Sequence, residues 1–364
     1  MRTLAREAMR WIVRPLAASG LLVLPLPLLL IAGCSQALDD AGVVELVYAT
    51  PYSPGHPFSR ADQRWMDFVE ERSGGTLTIR PSWSGALLSS EHSLIELRHG
   101  VVDIGLITPI YVKGGAHLIR MQSGFYGGVR TIEQQVALYH CLADGNPQFE
   151  REMDGLVVLA VQGGNLPGIV TRDRPVASLA DLRGMRIRAP TELLNVLRDL
   201  GADPVNMPMG DVYSALAKGI VDGVIAPTDT FNALHLAEVA HYYARLAVPR
   251  GAYPARAMGR ERWQGLSAAH RDVLTQSIPV WEAALADENR RALDEGWRVA
   301  QEQGVVESII SDEDQAAFDR LYAREAERNA AELARYGIDG TSVLAKARAL
   351  VGEDEPINCR GDGA

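Results

Sequence analysis

Two stretches of this chain follow one plan. LIELRHGVVDIGLITP (Leu94 to Pro109) and YSALAKGIVDGVIAP (Tyr213 to Pro227) each run from a helix ending in a basic residue plus Gly, through Val-Asp, into a short apolar run closed by Pro. A Gly at a helix end takes the left-handed conformation that stops it. A short apolar run is the pattern of a strand buried on both faces. The repetition predicts two lobes of like construction facing each other across a cleft, with chance recurrence of βα grammar as the alternative. The 364 residues suffice for two such cores.

The rest of the chain reads the same way. Val43–Thr50 is a strand rich in Val, Leu and Tyr, followed by a Pro/Gly loop. Trp65, Phe68 and Val69 form a helical stripe that Ser73-Gly74-Gly75 ends. Thr76–Ile79 is a second strand, Ser90–His99 a second helix and Asp103–Thr108 a third strand. Strands alternating with helices predict βαβ units and a parallel sheet. Beyond Ser267, a plausible N-cap for a helix through Asp272 and Leu274, the chain turns mainly helical: Trp281–Glu302, a strand-like Val305–Ile310, then a helix opened by Ser311 and running towards Tyr336. These long C-terminal helices would brace the lobes from behind.

Residues 1–33 read as an export signal, with Arg2, Arg6, Arg10 and Arg14 before an apolar run broken by Pro25 and Pro27. Cys34 after Ala32-Gly33 resembles a lipobox, in which that Cys becomes the lipidated first residue; an ordinary cleaved signal is the alternative. Removal of four Arg and one Glu takes the formal charge from −10 to −13, and an acidic chain with no basic stripe argues against nucleic acid. Cys141 and Cys359 can pair in an oxidising compartment or stay free, because sequence separation says nothing about distance.

No Gly-x-Ser-x-Gly elbow, P-loop, Gly-x-Gly-x-x-Gly, Cys-x-x-Cys or His-Glu-x-x-His stands in the sequence, so neither catalysis, cofactor nor metal is expected. One segment does carry chemistry. In DLRGMRIRAP (Asp181 to Pro190), Arg186 and Arg188 share one strand face and Pro190 stops the ladder. A guanidinium at a strand's carboxyl end suits bidentate carboxylate recognition. A solvated surface Arg is the competing reading.

Taken together, PGHPF (Pro54–Phe58), ERSGGTLTIRPSWSGAL (Glu71 to Leu87), GVVDIGL, DLRGMRIRAP and PMGDVYSALAKGIVDG (Pro208 to Gly223) resemble, in order, the substrate-binding proteins of tripartite ATP-independent periplasmic (TRAP) transporters, the DctP-like family. The resemblance implies an α/β, two-lobed fold of the class II periplasmic-binding type with a ligand cleft between lobes. Lobe I would take residues 42–165 plus about 252–290, lobe II 166–251 plus about 291–350, with 351–364 a tail. It implies a periplasmic receptor, lipid-anchored through Cys34, that hands a small organic acid to small and large membrane subunits. The family's carboxylate-binding Arg falls on Arg188.

Departures from the family sharpen the expectation. A second Arg common in the family is replaced by Gly168, and a ligand-binding amide by apolar Val224-Ile225-Ala226. Thr108 and Tyr111 stand where Glu and Arg are frequent, and Met209 where an aromatic or apolar residue lines the pocket. His56, Asn165, Thr228 and Asp229 complete the candidate ligand set; for Thr108, Tyr111 and Met209 plain core packing is the alternative. Arg188 is expected to be the one fixed cation, with Arg172 or Arg174 able to swing in, favouring a monocarboxylate with an apolar or aromatic body. Alternatives are a receptor for an ABC-type permease or a sensor, an envelope hydrolase using the same cleft, and a structural lipoprotein.

Overall fold

A computed structural model describes residues 42–112, 114–352 and 356–359. The export segment and Cys34 lie outside the described residues. Two sheets organise the chain. The first contains β1 (Val44–Ala49), β2 (Leu77–Ser82), β3 (Ile104–Leu106), β4 (Leu156–Gln162) and β10 (Tyr253–Gly259) in the order β2-β1-β3-β10-β4. The second contains β5 (Gly168–Thr171), β6 (Arg186–Arg188), β7 (Asp203–Val205), β8 (Gly223–Ala226), β9 (Tyr242–Arg245) and β11 (Val306–Ile309) in the order β11-β9-β5-β8-β6-β7.

The expected parallel pairing forms in part. β10 runs antiparallel to β3 and β4, and β5 antiparallel to β8 and β9, while the other pairs are parallel. The cause is the route of the chain. It leaves the first sheet after β4 and enters the second at β5, then returns from β9 to β10, and each arriving strand is inserted against its new neighbours' direction. Short connections, 163–167 and 246–252, make these two crossings, and a long helix, 268–302, makes a third on the way to β11.

The repeated sequence is a repeated structure. Gly100 and Gly219 both adopt left-handed φ, at 70° and 65°, after α2 (Ser93–Arg98) and α7 (Val212–Ala217). In each unit the next Asp accepts from the backbone of the neighbouring parallel strand. Val47 N donates to Asp103 Oδ2 at 2.7 Å, and Arg186 N donates to Asp222 Oδ2 at 2.6 Å. The Val-Asp pair is thus a register device as well as a strand start. Pro227 directly follows β8 and Pro109 follows β3 after two residues, on the side where the cavity opens.

Prolines sit where ladder donors are dispensable. Pro81 and Pro204 lie on the edge strands β2 and β7. Pro254 lies in central β10, and there the register shifts between Pro254 and Arg256.

The remaining helices are α1 (Pro57–Arg72), α3 (His117–Gln122), α4 (Ile132–Ala143), α5 (Pro147–Glu152), α6 (Leu194–Asp199), α8 (Thr230–Ala233), α9 (Arg260–Gln264), α10 (Ala268–Glu302), α11 (Asp312–Glu332) and α12 (Gly340–Leu350). The two helical stretches expected after Ser267 are one, 35 residues long and continuous through Pro279. Its Ser267 cap accepts from His270 N at 3.1 Å. α10 packs on α1 and β4 and, further along, on α8, so it touches elements of both sheets. Four apolar clusters result, two around each sheet. Trp65 and Trp281 stack at 3.6 Å in one of them, joining α1 to α10. Cys141 and Cys359 form a disulfide that ties the tail to α4.

Candidate ligand-binding site

The strand ends converge on a cavity of about 120 Å³. Arg188, last residue of β6, is only 3% exposed there. Burial on this scale is unusual for Arg unless its donors have partners. Two have: Nε donates to Met207 O at 2.9 Å, and Nη2 donates to the Tyr111 hydroxyl at 2.7 Å. Tyr111 ends the 3₁₀ turn Pro109–Tyr111 that follows β3, so this bond links the two sheets across the cavity. A guanidinium carries five N–H donors, which leaves three for a ligand.

Of the expected residues, His56, Thr108, Tyr111, Arg188, Met209 and Asp229 line this cavity. Thr108 spends its hydroxyl on Ser90 O. His56 caps α1, its Nδ1 accepting from Phe58 N at 3.2 Å, and stacks on Tyr52 at 4.0 Å. Burial, with Arg60 and Arg256 as lesser causes, pushes the imidazole down to about 3, so it is neutral at any physiological pH.

Asn165 and Thr228 do not line the cavity. Asn165 stands behind it, donating from Nδ2 to Asp229 Oδ2 at 2.9 Å and to Asn289 O at 2.7 Å. Thr228 turns its hydroxyl towards Leu293 O, and its backbone carbonyl lies where Gly296 of α10 leaves room for it.

The expectation of a single fixed cation is wrong. Arg250, in the 246–252 crossing, also lines the cavity, and its Nη1 donates to Asn165 O at 3.2 Å. Its guanidinium lies on Gly164, where a Cβ would sit 2.3 Å from Cζ. Arg172 pairs with Asp173 and Arg174 reaches Asp181 O, and neither lines the cavity. Gly168 likewise has a structural reason. A Cβ there would come within 2.6 Å of the Tyr243 ring and of Ala244 O, so the place of a larger side chain is filled.

Two carboxyl groups share the cavity with the two guanidiniums. Burial raises the Asp229 pKa, opposed by Arg250 and the Asn165 bond. Burial also raises that of Glu192, opposed more weakly by Arg188, Ser123 and Arg250. Neither Glu192 nor Arg250 was marked by the sequence patterns. Both sit in turns, where neither a period of 2 nor one of 3.6 points a side chain anywhere. Tyr52, Phe58, Ile110, Leu193, Ile225 and Tyr253 supply apolar and aromatic wall.

The hydroxyls of Thr108 and Ser123 donate to backbone carbonyls, and the only His on the wall caps a helix. Ser123 also lies within hydrogen-bond reach of Glu192, whose ionised form it favours. Among the described residues, no group of three or more His, Cys, Asp or Glu could hold a metal ion.

The fold has counterparts among solved structures. A crystal structure of a TRAP solute-binding protein from Rhodoferax ferrireducens, in complex with copurified benzoate, matches with a TM-score of 0.78 at 23% identity, covering 85% of this chain and 98% of that one. One from Bordetella bronchiseptica with bound (R)- and (S)-mandelate matches at 0.72 and 21%, over 85% and 98%. Among curated relatives, a solute-binding protein of Albidiferax ferrireducens is 26% identical over 173 residues, 47% of this chain and 51% of its own length. The 2,3-diketo-L-gulonate-binding periplasmic protein of Escherichia coli is 23% identical over 269 residues, 71% of this chain and 78% of its own. The match thus spans about half the length of the former and over three quarters of the latter. A sequence profile of DctP, the bacterial extracellular solute-binding protein family 7, matches residues 48–332, and the chain belongs to that family.

Proposed function

We propose that the protein is an extracytoplasmic receptor for a small monocarboxylate with an apolar or aromatic body, which it delivers to TRAP-type membrane subunits. One observation carries the reading: a buried strand-end Arg188 holds Tyr111 across the cavity and keeps three N–H donors for a carboxylate. Arg250 and Asp229, both held by Asn165, offset each other, which leaves Arg188 to be shared between Glu192 and the ligand. The cavity is close in size to the roughly 150 Å³ that accommodates a benzene ring, which favours one ring or a short chain. Benzoate and mandelate in two proteins of like fold agree with that size.

Closure turns on the crossings 163–167 and 246–252, with residues 42–165 and about 252–290 as one lobe and 166–251 and about 291–350 as the other. Lipidation of Cys34 anchors the receptor, and the Cys141–Cys359 disulfide suits an oxidising compartment. Native mass spectrometry of protein purified from its own cells tests the ligand class. The expected result is a co-bound acid with one carboxylate and a ring or short apolar chain. A co-bound sugar, amine or dicarboxylate would refute it.

A further inference from the structure

Glu192 is the unmatched group of the cavity. It sits in the 3₁₀ turn Thr191–Leu193 after Pro190, 9% exposed, with Oε2 buried and without a hydrogen-bond partner. Asp229 on the same wall accepts from Asn165, whereas Glu192 Oε2 accepts from nothing described. A buried polar atom of this kind calls for a reason.

Charge balance supplies one. Among the described residues of the wall, with both carboxyls ionised, Arg188, Arg250, Asp229 and Glu192 sum to zero, and a monoanion would bring an uncompensated negative charge into a buried site. With Glu192 protonated these four hold one surplus positive charge, which one carboxylate cancels. A protonated carboxyl also gains an O–H donor that a ligand oxygen can accept.

We infer that monocarboxylate binding is coupled to the uptake of one proton at Glu192. The inference rests on the carboxylate reading above and adds a residue that tunes affinity with pH. The groups around the turn are compatible with it. Arg188 from β6 and Arg250 from the crossing favour the ionised form, and a ligand carboxylate on Arg188 competes for that support while adding like charge. From the end of α3, Ser123 donates to Arg120 O and also favours the ionised form, and Arg120 itself donates to Val112 O. From α11, Tyr322 keeps its phenol proton because burial raises its pKa, and Glu325 is engaged by Asn195 of α6 and by Arg328. Arg198 of α6 donates to Asn195. Burial already raises the Glu192 pKa in the free protein, which favours the protonated form.

Calorimetric titration of the disulfide-intact protein with benzoate, in phosphate and in Tris buffers between about pH 5.5 and 8.5, counts the protons exchanged. The expected result is uptake approaching one proton per benzoate at the alkaline end, with Kd there weakening towards tenfold per pH unit. In Glu192→Gln both the uptake and the pH slope disappear. Equal apparent enthalpies in the two buffers across the range, for the unsubstituted protein, overturn the inference even if the variant does not fold. Uptake that survives in Glu192→Gln overturns it as well. Benzoate binding that depends on Arg188 but takes up no proton refutes the coupling and leaves the carboxylate reading standing. If neither benzoate nor mandelate binds at any pH, both fall.

Discussion

Arg256 is fully buried beside the cavity, at 0% exposure, and replacing it tests whether the ion pair behind the site is structural. The bulge of β10 turns it onto Asp62 of α1: Nε donates to Asp62 Oδ1 at 2.9 Å, and Nη1 donates to Gln162 Oε1 at 2.8 Å. Asp62, also 0% exposed, accepts from Trp281 Nε1 at 2.9 Å and from the Tyr48 hydroxyl. Arg256→Met keeps most of the volume but strands the carboxylate with two neutral donors. Breaking a buried pair from one side costs about 3–5 kcal/mol, and because Tyr48 and Trp281 still donate, the lower end applies. For a folded unit spanning Gly42–Ala364, about 2.1 cal/mol/K per residue makes this a Tm drop of about 4–5 °C. Guanidinium unfolding with an unchanged m-value measures the loss directly. Adding Asp62→Asn removes the stranded charge, and the double variant recovers to within about 1–2 kcal/mol of the parent. A single variant within about 1 kcal/mol of the parent, or a double variant equal to the sum of the singles, would refute the reasoning.

Three further outcomes follow from other parts of the fold. Cys141→Ser opens a link across a sequence separation of 218 residues, and the chain-entropy relation puts the loss at up to about 5 kcal/mol, read as a fall in the denaturation midpoint that reductant reproduces in the parent; no change in either would contradict a formed disulfide. Gly296→Ala sets a Cβ 2.1 Å from Thr228 O and 2.6 Å from Asp229 Cα, and overpacking of about 1–3 kcal/mol exceeds the helix propensity Ala gains. Its melting temperature should fall and its acid affinity weaken together, whereas a stabilised variant would show that α10 does not press on the cavity wall. His56, lowered to about 3 in the fold, stays neutral while the unfolded chain charges below its ordinary value near 6.5. Its contribution to stability is therefore complete above that value and lost as pH falls towards 3, at up to about 1.4 kcal/mol per pH unit. The His56 imidazole should show no NMR titration between about pH 5 and 8, and a midpoint near 6.5 would contradict its burial.

Particular residues show what the sequence reveals and what it withholds. The two Val-Asp units, their Gly stops and the strand ending at Arg188 were legible because they rest on local rules: left-handed Gly, period-2 alternation and Pro at a ladder's end. Strand direction was not, since alternation is identical for parallel and antiparallel neighbours, and the inserted β5 and β10 are set by where the chain crosses. The run through Pro279 was read as two helices because Pro removes a donor, yet α10 is held from both sides by α1 and α8. Arg250 and Glu192 were invisible for a different reason. Arg250 reaches the cavity only because Gly164 leaves a floor for its guanidinium and Gly251 lets the chain pass Ser123 O, where a Cβ would stand 2.5 Å away. Such approaches are tertiary, and no spacing in the sequence encodes them. The Cys141–Cys359 pairing belongs with them.

Arg188 is the residue proposed to hold the ligand's carboxylate. Calorimetric titration of benzoate and mandelate into the parent and into Arg188→Ala and Arg188→Lys tests it most directly. A charge-assisted contact of this kind contributes about 3 kcal/mol, so Arg188→Ala should weaken binding on the order of 100-fold. Arg188→Lys should fail to restore it, because an ammonium cannot hold Met207 O, Tyr111 and a carboxylate in one plane. Binding within about threefold of the parent in Arg188→Ala would remove Arg188 from the mechanism and contradict the account.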